Sequence, residues 1–218
     1  MEALYKGDYL TVTYGGAKGI EEAFKRISNL PAEKSDNFHR VERVTQFADK
    51  WFEARKTQRR LIDIGSGLGI FVSGMKIMGW CCTALDPDER FSGHARRNIG
   101  VDALTCNFGC EPCEDIGTFQ CVSLNKVLEH VEDPVDFLTK AKKLLASDGF
   151  IYIEVPDGEM AIRESEQREE FFIEHHHVFS SSSLPILVAQ AGMDLLVMER
   201  LREPSGKYTL FTFIAANT

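Results

Sequence analysis

Apolar residues recur at intervals of three or four positions in the first quarter of the chain. Two faces share this spacing, Ile20, Ala23, Phe24 and Ile27 in one and Val41, Val44, Ala48, Trp51 and Phe52 in the other. The spacing is typical of amphipathic helices. Leu30-Pro31 ends the first helix, and Ser35 or Asp36 can cap the second. The pattern predicts a helical cap or lid over residues 1–58.

The pattern changes after a polar connector that reaches Arg60. Short apolar runs now alternate with helical periods, and the runs occupy residues 61–64, 80–85, 103–106, 121–124 and 150–155. Strands that alternate with helices predict a parallel sheet covered on both faces. The helix before the last run is predicted to begin at Asp133-Pro134 and to stop at Asp148-Gly149.

The C-terminal part has a different pattern. A helix is predicted over residues 183–191, and Gly192 ends it. Strands at residues 195–201 and 208–214 then flank a turn-rich link at residues 203–206, which is typical of an antiparallel hairpin. We therefore predict an α/β fold in which this hairpin is appended to a mostly parallel sheet. The main domain is expected to span residues 59–218.

Composition and charge narrow the classes of function. Of the 218 residues, 44% are hydrophobic and 27% are charged, a balance typical of a folded globular protein. The net charge of -8 argues against a general binder of nucleic-acid phosphates, which needs a basic face. No apolar run is long enough to span a membrane, and no signal-peptide pattern is found. Six cysteines are typical of cytosolic thiols here, so we expect a cytoplasmic protein with a small-molecule or protein partner.

A glycine loop, Asp63-Ile64-Gly65-Ser66-Gly67-Leu68-Gly69, lies between the first predicted strand and the next helix. Glycines allow a tight turn and a close approach of the backbone to a ligand. Asp86 ends the following strand, 21 residues after Gly65, where a carboxylate can accept both ribose hydroxyls. A dinucleotide fingerprint would place its third glycine at the position of Ile70. The loop and Asp86 together indicate a nucleoside-type ligand, with a purely structural turn as the alternative.

Three further segments follow the loop in order. They are Asn125-Lys126-Val127-Leu128-Glu129-His130-Val131-Glu132-Asp133-Pro134, residues 144–156, and residues 179–187 with Ala191-Gly192-Met193. With the loop, they resemble the class I S-adenosylmethionine-dependent methyltransferases, especially small-molecule enzymes of the ubiquinone-biosynthesis and sugar-modifying type. The resemblance runs from about Arg60 to the C-terminus. It implies a Rossmann-like, seven-stranded sheet, S-adenosylmethionine as cofactor, and O-, N- or C-methylation of a small molecule.

The resemblance also implies which residues bind each part of the cofactor. Those that would line its methionine portion are Gly65, Ser66, Gly67 and Gly69. Asp63 would help to hold the ammonium group of that portion. Asn125, at the end of the fourth strand, would place its backbone beside the methyl group.

At the nucleoside end, Asp86 would bind the ribose and Pro87 would lie against the adenine. Asn107 stands where the family often has an aspartate that bonds the adenine amine. Its amide oxygen can accept the same hydrogen bond as a neutral group. The resemblance gives Glu129 and His130 mainly a structural role in the segment after strand four.

Methyl transfer to a hydroxyl group needs a base that accepts its proton. His175, His176 and His177 lie between the fifth strand and the last helix, in an insertion that covers the substrate in this family. Histidine titrates near neutral pH, so these three are the candidate catalytic residues, with a polar surface turn as the alternative. No nearby carboxylate pair completes a metal site, and we expect no bound metal.

A competing pattern is Cys106, Cys110 and Cys113, whose C-x3-C-x2-C spacing resembles the cluster motif of radical S-adenosylmethionine enzymes. Only 105 residues (218 minus 113) follow the motif, too few for the barrel of those enzymes. Three ordinary cysteines on a loop is the preferred interpretation.

We therefore predict a methyltransferase that acts on a small molecule, without a nucleic-acid partner. The segment Asn125-Lys126-Val127-Leu128 stands where base-methylating enzymes have an Asn-Pro-Pro-Tyr type of motif, which supports this choice. A cofactor-binding module without catalysis is the alternative from another class.

Overall fold

Seven strands form one sheet at the centre of the structure, a computed structural model that describes residues 16–53, 59–110, 116–165, 167–171 and 174–217. The strands are β1 (Arg60–Ile64), β2 (Cys81–Asp86), β3 (Asp102–Thr105), β4 (Phe119–Asn125), β5 (Leu145–Pro156), β6 (Met193–Arg202) and β7 (Tyr208–Ala216). Their order across the sheet is β3-β2-β1-β4-β5-β7-β6. The first five strands are parallel, and β7 runs antiparallel to β5 and β6. The predicted mostly parallel sheet with a C-terminal antiparallel hairpin is confirmed.

Helices cover both faces of this sheet. They are α1 (Ala17–Ser28), α2 (Asp36–Trp51), α3 (Ile70–Ile77), α4 (Glu89–His94), α5 (Pro134–Lys142), α6 (Gly158–Ala161) and α7 (Ser183–Gln190). The Ser35 side chain accepts a hydrogen bond from the Phe38 N–H and caps α2, as the sequence predicts. None of the described helices has the length and apolar composition needed to cross a lipid bilayer.

The sheet buries apolar residues in two layers, one on each face. Leu138 of α5 and Leu184 of α7 are fully buried in one layer. Val44 of α2 and Val72 of α3 are fully buried in the other. Burial of a side chain of this size stabilises the folded state by about 1.5–3 kcal/mol. Helix α2 therefore contributes directly to the core under the sheet.

The predicted N-terminal cap is described only in part. Residues 1–15 and 54–58 of it lie outside the described residues. Within the described part, α2 packs closely on the sheet, since the ring centroids of Phe47 and Phe213 are 3.8 Å apart. The division of the chain into residues 1–58 and 59–218 stays a prediction.

Helix α5 is shorter than the sequence predicts. It ends at Lys142, whereas the prediction that it stops at Asp148-Gly149 is wrong. Leu145 already pairs with Phe119 at the start of β5, and an irregular stretch follows before regular pairing resumes. Gly149 lies so close to β4 that a Cβ atom there would be 2.8 Å from the Phe119 carbonyl oxygen. Pairing with a distant strand, which helical periodicity does not report, sets the end of the helix.

The turn between β6 and β7 contacts two distant parts of the chain. The Ser205 N–H donates to the carboxylate of Asp36, the first residue of α2, over 3.0 Å. On its other side, the Arg168 guanidinium of the insertion after β5 donates to the Gly206 carbonyl oxygen, also over 3.0 Å. The turn thus joins α2 to the insertion at the edge where the parallel strands end.

A buried ionic cluster joins α2 to β5. The fully buried Glu154 carboxylate accepts hydrogen bonds from Arg40 over 2.5 Å, from Arg43 over 3.0 Å, and from the Tyr152 hydroxyl. Burial acts to raise the pKa of Glu154, but the Arg40 charge outweighs it and the pKa is lowered to about 2. Arg40, Arg43, Tyr152 and Glu154 are called the Glu154 cluster below.

Replacement of Glu154 by Gln should destabilise the fold by about 3 kcal/mol, because it leaves two guanidinium groups on α2 without their anion. Urea denaturation at pH 7 measures this loss as a change in the free energy of unfolding. The lowered pKa means that the contribution of Glu154 is present above about pH 4 and is lost as the pH falls towards 2. The difference between the two proteins should shrink over that interval.

Glu21→Gln is the matched control, since Glu21 forms an exposed ion pair with Lys25 on α1. Exposed pairs contribute little to stability, and this variant should unfold close to the wild type. Equal losses in the Glu154 and Glu21 variants would contradict the role given to the Glu154 cluster.

Candidate functional site

The glycine loop lies at the carboxyl edge of the sheet, where β1 to β5 end. Gly65, Gly67 and Gly69 have φ angles of 73°, 49° and 70°, a region that disfavours side chains. A Cβ atom on Gly65 would lie 2.7 Å from Val127, and one on Gly69 would lie 2.4 Å from Ile99. Gly67 faces open space. The loop is therefore packed at its ends and open at its centre, where a ligand can approach the backbone.

Asp86 fastens this loop to the end of β2. Its Oδ2 accepts a hydrogen bond from the Gly67 N–H over 2.8 Å, and its Oδ1 accepts one from the Asp88 N–H over 2.9 Å. Burial raises the pKa of Asp86 to about 6, against the opposing effect of these two N–H groups. A carboxylate has about four lone-pair sites, so Asp86 keeps acceptor capacity for two hydroxyl groups of a ligand.

Asp63 is buried near the end of β1. Its Oδ1 accepts hydrogen bonds from the Ser123 hydroxyl over 2.6 Å and from the Asn125 amide over 2.9 Å. Burial raises the pKa of Asp63 to about 7, which these hydrogen bonds and the Arg40 charge partly oppose. The structure therefore brings Asp63 and Asn125 together through their side chains. The position of the Asn125 backbone beside a methyl group stays a prediction.

Several buried polar atoms near the loop have no hydrogen-bond partner among the described residues. They include Ser66 Oγ, Asn125 Oδ1 and Arg40 Nε. An unpaired buried polar group costs about 1–3 kcal/mol, so these atoms favour a polar ligand that pairs with them. The Arg40 charge acts on Asp63 and favours its ionised form.

The predicted adenine residues lie just beyond β2 and β3. Pro87 follows Asp86 directly, Asn107 follows β3 by two residues, and both are exposed. The Cys106 N–H donates to the Asp86 carbonyl oxygen over 3.2 Å and keeps the two strand ends side by side. Contacts of Pro87 and Asn107 with an adenine ring stay predictions.

His175 lies against Glu129 and His130. One nitrogen or oxygen atom from each of these three side chains lies within 4.8 Å of the other two. His175 Nδ1 is 2.9 Å from the Glu170 carbonyl oxygen, which can only accept a hydrogen bond. Nδ1 therefore carries the proton, and Nε2 is the proton acceptor of this ring.

The other two predicted catalytic histidines have different surroundings. The backbone N–H groups of His176 and His177 both donate to the Glu129 carbonyl oxygen, over 2.7 and 3.2 Å. The His176 side chain is exposed, and His177 Nε2 is 3.3 Å from the Glu132 carbonyl oxygen. Of the three, His175 is therefore the one whose ring reaches the Glu129 side chain.

Glu129 has a feature that a structural role alone does not explain. Its carbonyl oxygen holds the histidine segment, but its carboxyl group is buried, with Oε2 unpaired among the described residues. Burial raises the pKa of Glu129 to about 7, which the Lys126 charge partly opposes. Glu129, His130 and His175 lie close enough to hold a metal ion. The expectation of no bound metal stays a prediction.

The cysteine segment is described only in part, since Cys113 lies outside the described residues. Cys110 is an exposed free thiol, whereas Cys106 is disulfide-bonded. The expectation of ordinary free thiols is therefore wrong for Cys106, although Cys81, Cys82 and Cys121 are free. A sulfur in a disulfide is not a thiolate ligand, so an iron–sulfur cluster on this segment is not favoured.

Arg40 was not among the residues that the sequence indicated. It lies on α2, 114 positions from its partner Glu154. One signal was available, because Glu154 interrupts an apolar run in a strand expected to be buried on both faces. A charge at such a place needs a partner of opposite charge. Which side chain supplies that charge depends on the tertiary structure.

A large groove lies elsewhere, between α2 and the β6–β7 hairpin. Its volume is about 1130 Å³, and the aromatic residues that line it are Phe47, Trp51, Phe211 and Phe213. None of the glycine-loop residues lines it. The groove is therefore separate from the site at the glycine loop.

The chain is similar to known methyltransferases in sequence. Residues 34–197 match a family described as a methyltransferase domain. A ubiquinone biosynthesis O-methyltransferase from a Caulobacter species is 32% identical over 99 residues, which are 43% of this chain and 39% of that protein. The chain thus spans about two fifths of the length of that curated relative.

Two solved structures have the same fold. A Synechocystis magnesium protoporphyrin IX methyltransferase with bound S-adenosylhomocysteine has a TM-score of 0.63 at 12% identity, over 82% of each chain. A Burkholderia thailandensis 1,6-didemethyltoxoflavin-N1-methyltransferase, with bound 1,6-didemethyltoxoflavin and S-adenosylhomocysteine, has a TM-score of 0.62 at 15% identity. That match covers 93% of this chain and 87% of the other. Because the family match runs from before α2 into β6, the chain belongs to the methyltransferase domain family.

Proposed function

We propose that the protein transfers a methyl group from S-adenosylmethionine to a small-molecule acceptor. The main support for this proposal is the hydrogen bond from the Gly67 N–H to the Asp86 carboxylate, which closes the glycine loop. Asp63 is buried beside this loop. Two carboxylates at the ends of neighbouring parallel strands are then available to a ribose and an ammonium group. Open α/β sheets bind their ligands at this edge.

The residues fit each part of this methyl donor. Asp86 keeps acceptor capacity for the ribose hydroxyls, and the open space at Gly67 admits the chain that joins the ribose to the amino acid. Asp63 is assigned to the ammonium of the methionine portion, and the Arg40 charge favours the ionised form that would hold it. The unpaired buried atoms near the loop gain partners when a polar ligand is bound.

The bound methyl donor supplies a sulfonium-linked methyl group, which an electron pair of the acceptor displaces in line. The protein has to align the acceptor, exclude water and, for a hydroxyl acceptor, take up a proton. We assign the proton to His175 Nε2, because the Glu170 carbonyl oxygen holds the other ring nitrogen as the hydrogen-bond donor. His176 and His177 then position this ring through their hydrogen bonds to Glu129.

The acceptor is proposed to be a small molecule methylated on oxygen, nitrogen or carbon. Similar proteins include an O-methyltransferase of ubiquinone biosynthesis and an N-methyltransferase that was solved with 1,6-didemethyltoxoflavin. The net charge of -8 supports a small molecule over a nucleic acid. A cytoplasmic location is also proposed; the free thiols of Cys81, Cys82, Cys110 and Cys121 support it, whereas the disulfide at Cys106 does not.

Isothermal titration calorimetry with S-adenosylhomocysteine tests the donor half of this proposal. NAD⁺ is the control ligand, because it shares the adenosine portion and lacks the amino acid; we expect binding of the first and not of the second. Production of S-adenosylhomocysteine from S-adenosylmethionine with phenol, amine and sugar acceptors, with and without EDTA, tests the transfer. Binding without transfer would favour a non-catalytic module, and no binding would overturn the proposal.

Asp86→Ala should weaken the binding of S-adenosylhomocysteine tenfold or more. Each charge-assisted hydrogen bond to a ribose hydroxyl contributes about 1.5–3 kcal/mol. Asp88→Asn is the matched control, since the Asp88 side chain caps α4 and the variant keeps the backbone N–H that bonds Asp86. Calorimetry compares the three proteins, and unchanged affinity in Asp86→Ala would rule out the ribose assignment.

Asp63→Asn should stabilise the protein at pH 8 while it weakens S-adenosylhomocysteine binding. The folded pKa of about 7 lies above the value of about 3.9 expected in the unfolded chain, so ionisation destabilises the fold as the pH rises between them. The gain in the free energy of unfolding should be on the order of 4 kcal/mol at pH 8, because each pKa unit between about 3.9 and about 7 corresponds to about 1.4 kcal/mol, and it should be smaller at pH 5. Urea denaturation at pH 8 and at pH 5 measures this gain in the free energy of unfolding. A variant that is less stable than the wild type at pH 8 would contradict this account of Asp63.

His175→Gln should lower turnover of a hydroxyl acceptor by about 10²–10⁴-fold and leave S-adenosylhomocysteine affinity nearly unchanged. His39→Gln is the control, because His39 is an exposed histidine on α2. Steady-state kinetics separates the roles: a rise in the Michaelis constant with little change in turnover would show that His175 only positions the acceptor.

A further inference from the structure

Lys126 has a backbone conformation that the proposed function does not explain. It follows Asn125 at the end of β4, and its φ angle is 57°, a region that residues other than glycine rarely adopt. Such a conformation persists only where the surrounding structure fixes it, and it is frequent at functional sites. The Lys126 N–H donates to the Glu154 carbonyl oxygen over 2.9 Å. This bond holds the residue over the end of β5.

The side chain of Lys126 extends from there towards β7. Its ammonium group donates to Thr209 Oγ1 over 2.6 Å. Thr209 is fully buried and its hydroxyl is neutral, so it does not balance the charge of the ammonium. Ion pairs of 4.0 Å or less between described residues involve other cations and not Lys126. An ammonium has three N–H donors, and this one uses one of them on Thr209.

Charged groups surround Lys126 at longer range. Glu154 from β5, Glu129 from the turn after β4 and Glu203 from the turn after β6 act on its ammonium, together with Arg40 from α2. Glu154 is already bound within its cluster, whereas Glu129 Oε2 and both carboxylate oxygens of Glu203 are unpaired among the described residues. These carboxylates favour the charged form of Lys126, while the Thr209 hydroxyl accepts its hydrogen bond.

Lys126 lies between the two functional halves of the site. The residue before it, Asn125, donates to Asp63 on the side of the methyl donor. Its charge also acts on Glu129, which lies with His175 on the side of the proposed base. Lys126 therefore lies on the segment that joins the proposed methyl-donor site to the proposed base.

We propose that the Lys126 ammonium binds an anionic oxygen of the acceptor. This inference rests on the proposed function and narrows its substrate class to hydroxyl compounds that carry a carboxylate, phenolate or enolate oxygen. An oxygen anion accepts from the N–H groups that Thr209 leaves available. A neutral acceptor makes weaker hydrogen bonds there, and a cationic acceptor is repelled.

Calorimetric titration of the S-adenosylhomocysteine complex with 3,4-dihydroxybenzoate, and with its uncharged amide 3,4-dihydroxybenzamide, tests the proposal. The wild-type complex should bind the anion at least tenfold more tightly, since hydrogen bonds between charged groups exceed neutral ones by that margin. Lys126→Gln should lose the preference and Lys126→Arg should keep it. Lys143→Gln, which removes an exposed lysine at the end of α5, should bind like the wild type.

A pH series distinguishes a binding role from a merely structural one. Burial lowers the pKa of Lys126, although Glu154 and Glu129 oppose it, so the ammonium loses its proton at a lower pH than an exposed lysine. The preference of the wild type for the anion should therefore decline at a lower pH than that at which an exposed lysine loses its charge. The Arg variant stays charged over the same pH range and should retain its preference.

Equal binding of the two probes by the wild-type complex, or binding of neither, would overturn the proposal, as would an unchanged preference in Lys126→Gln. Failure of the wild type to bind S-adenosylhomocysteine would count against the proposed function instead. Intact S-adenosylhomocysteine binding by Lys126→Gln shows that this variant is folded. If it does not fold, the pH series on the wild type and Lys126→Arg decides the question.

Discussion

A carboxylate buried in the middle of an apolar strand is the constraint on which much of this structure depends. Glu154 is removed from water, so the fold must bring cations to it, and Arg40 and Arg43 of α2 do so. The pairing sets how α2 lies on the sheet. The Arg40 charge also acts on Asp63 and Lys126, so the same residue influences the pKa of both side chains.

The features that the sequence predicts are those encoded within one strand, one turn and one helix. The glycine loop has to follow a strand and precede a helix, so its place at the carboxyl edge follows from a short segment. The distance along the chain from Gly65 to Asp86 equals one such unit, and the Gly67–Asp86 hydrogen bond closes it. The spacing along the chain predicts where Asp86 lies because successive strand, turn and helix units of a parallel sheet repeat the same geometry.

The features that the sequence does not predict depend on residues far apart in the chain. His175 and Glu129 come together only after the insertion folds back on the turn that follows β4. The end of α5 depends on the pairing of Leu145 with Phe119, which places Leu145 in a strand although the spacing of apolar residues is helical.

The turn between β6 and β7 has a consequence for the order in which the site is assembled during synthesis. Ser205 and Gly206 hold α2 on one side and the histidine-bearing insertion on the other, and they come late in the chain. A nascent chain that has passed Asp86 already contains the glycine loop, but Asp36 of α2 and Arg168 of the insertion lack these two partners until translation passes residue 206. Since N-terminal parts emerge first, these two contacts form after the glycine loop has been synthesised.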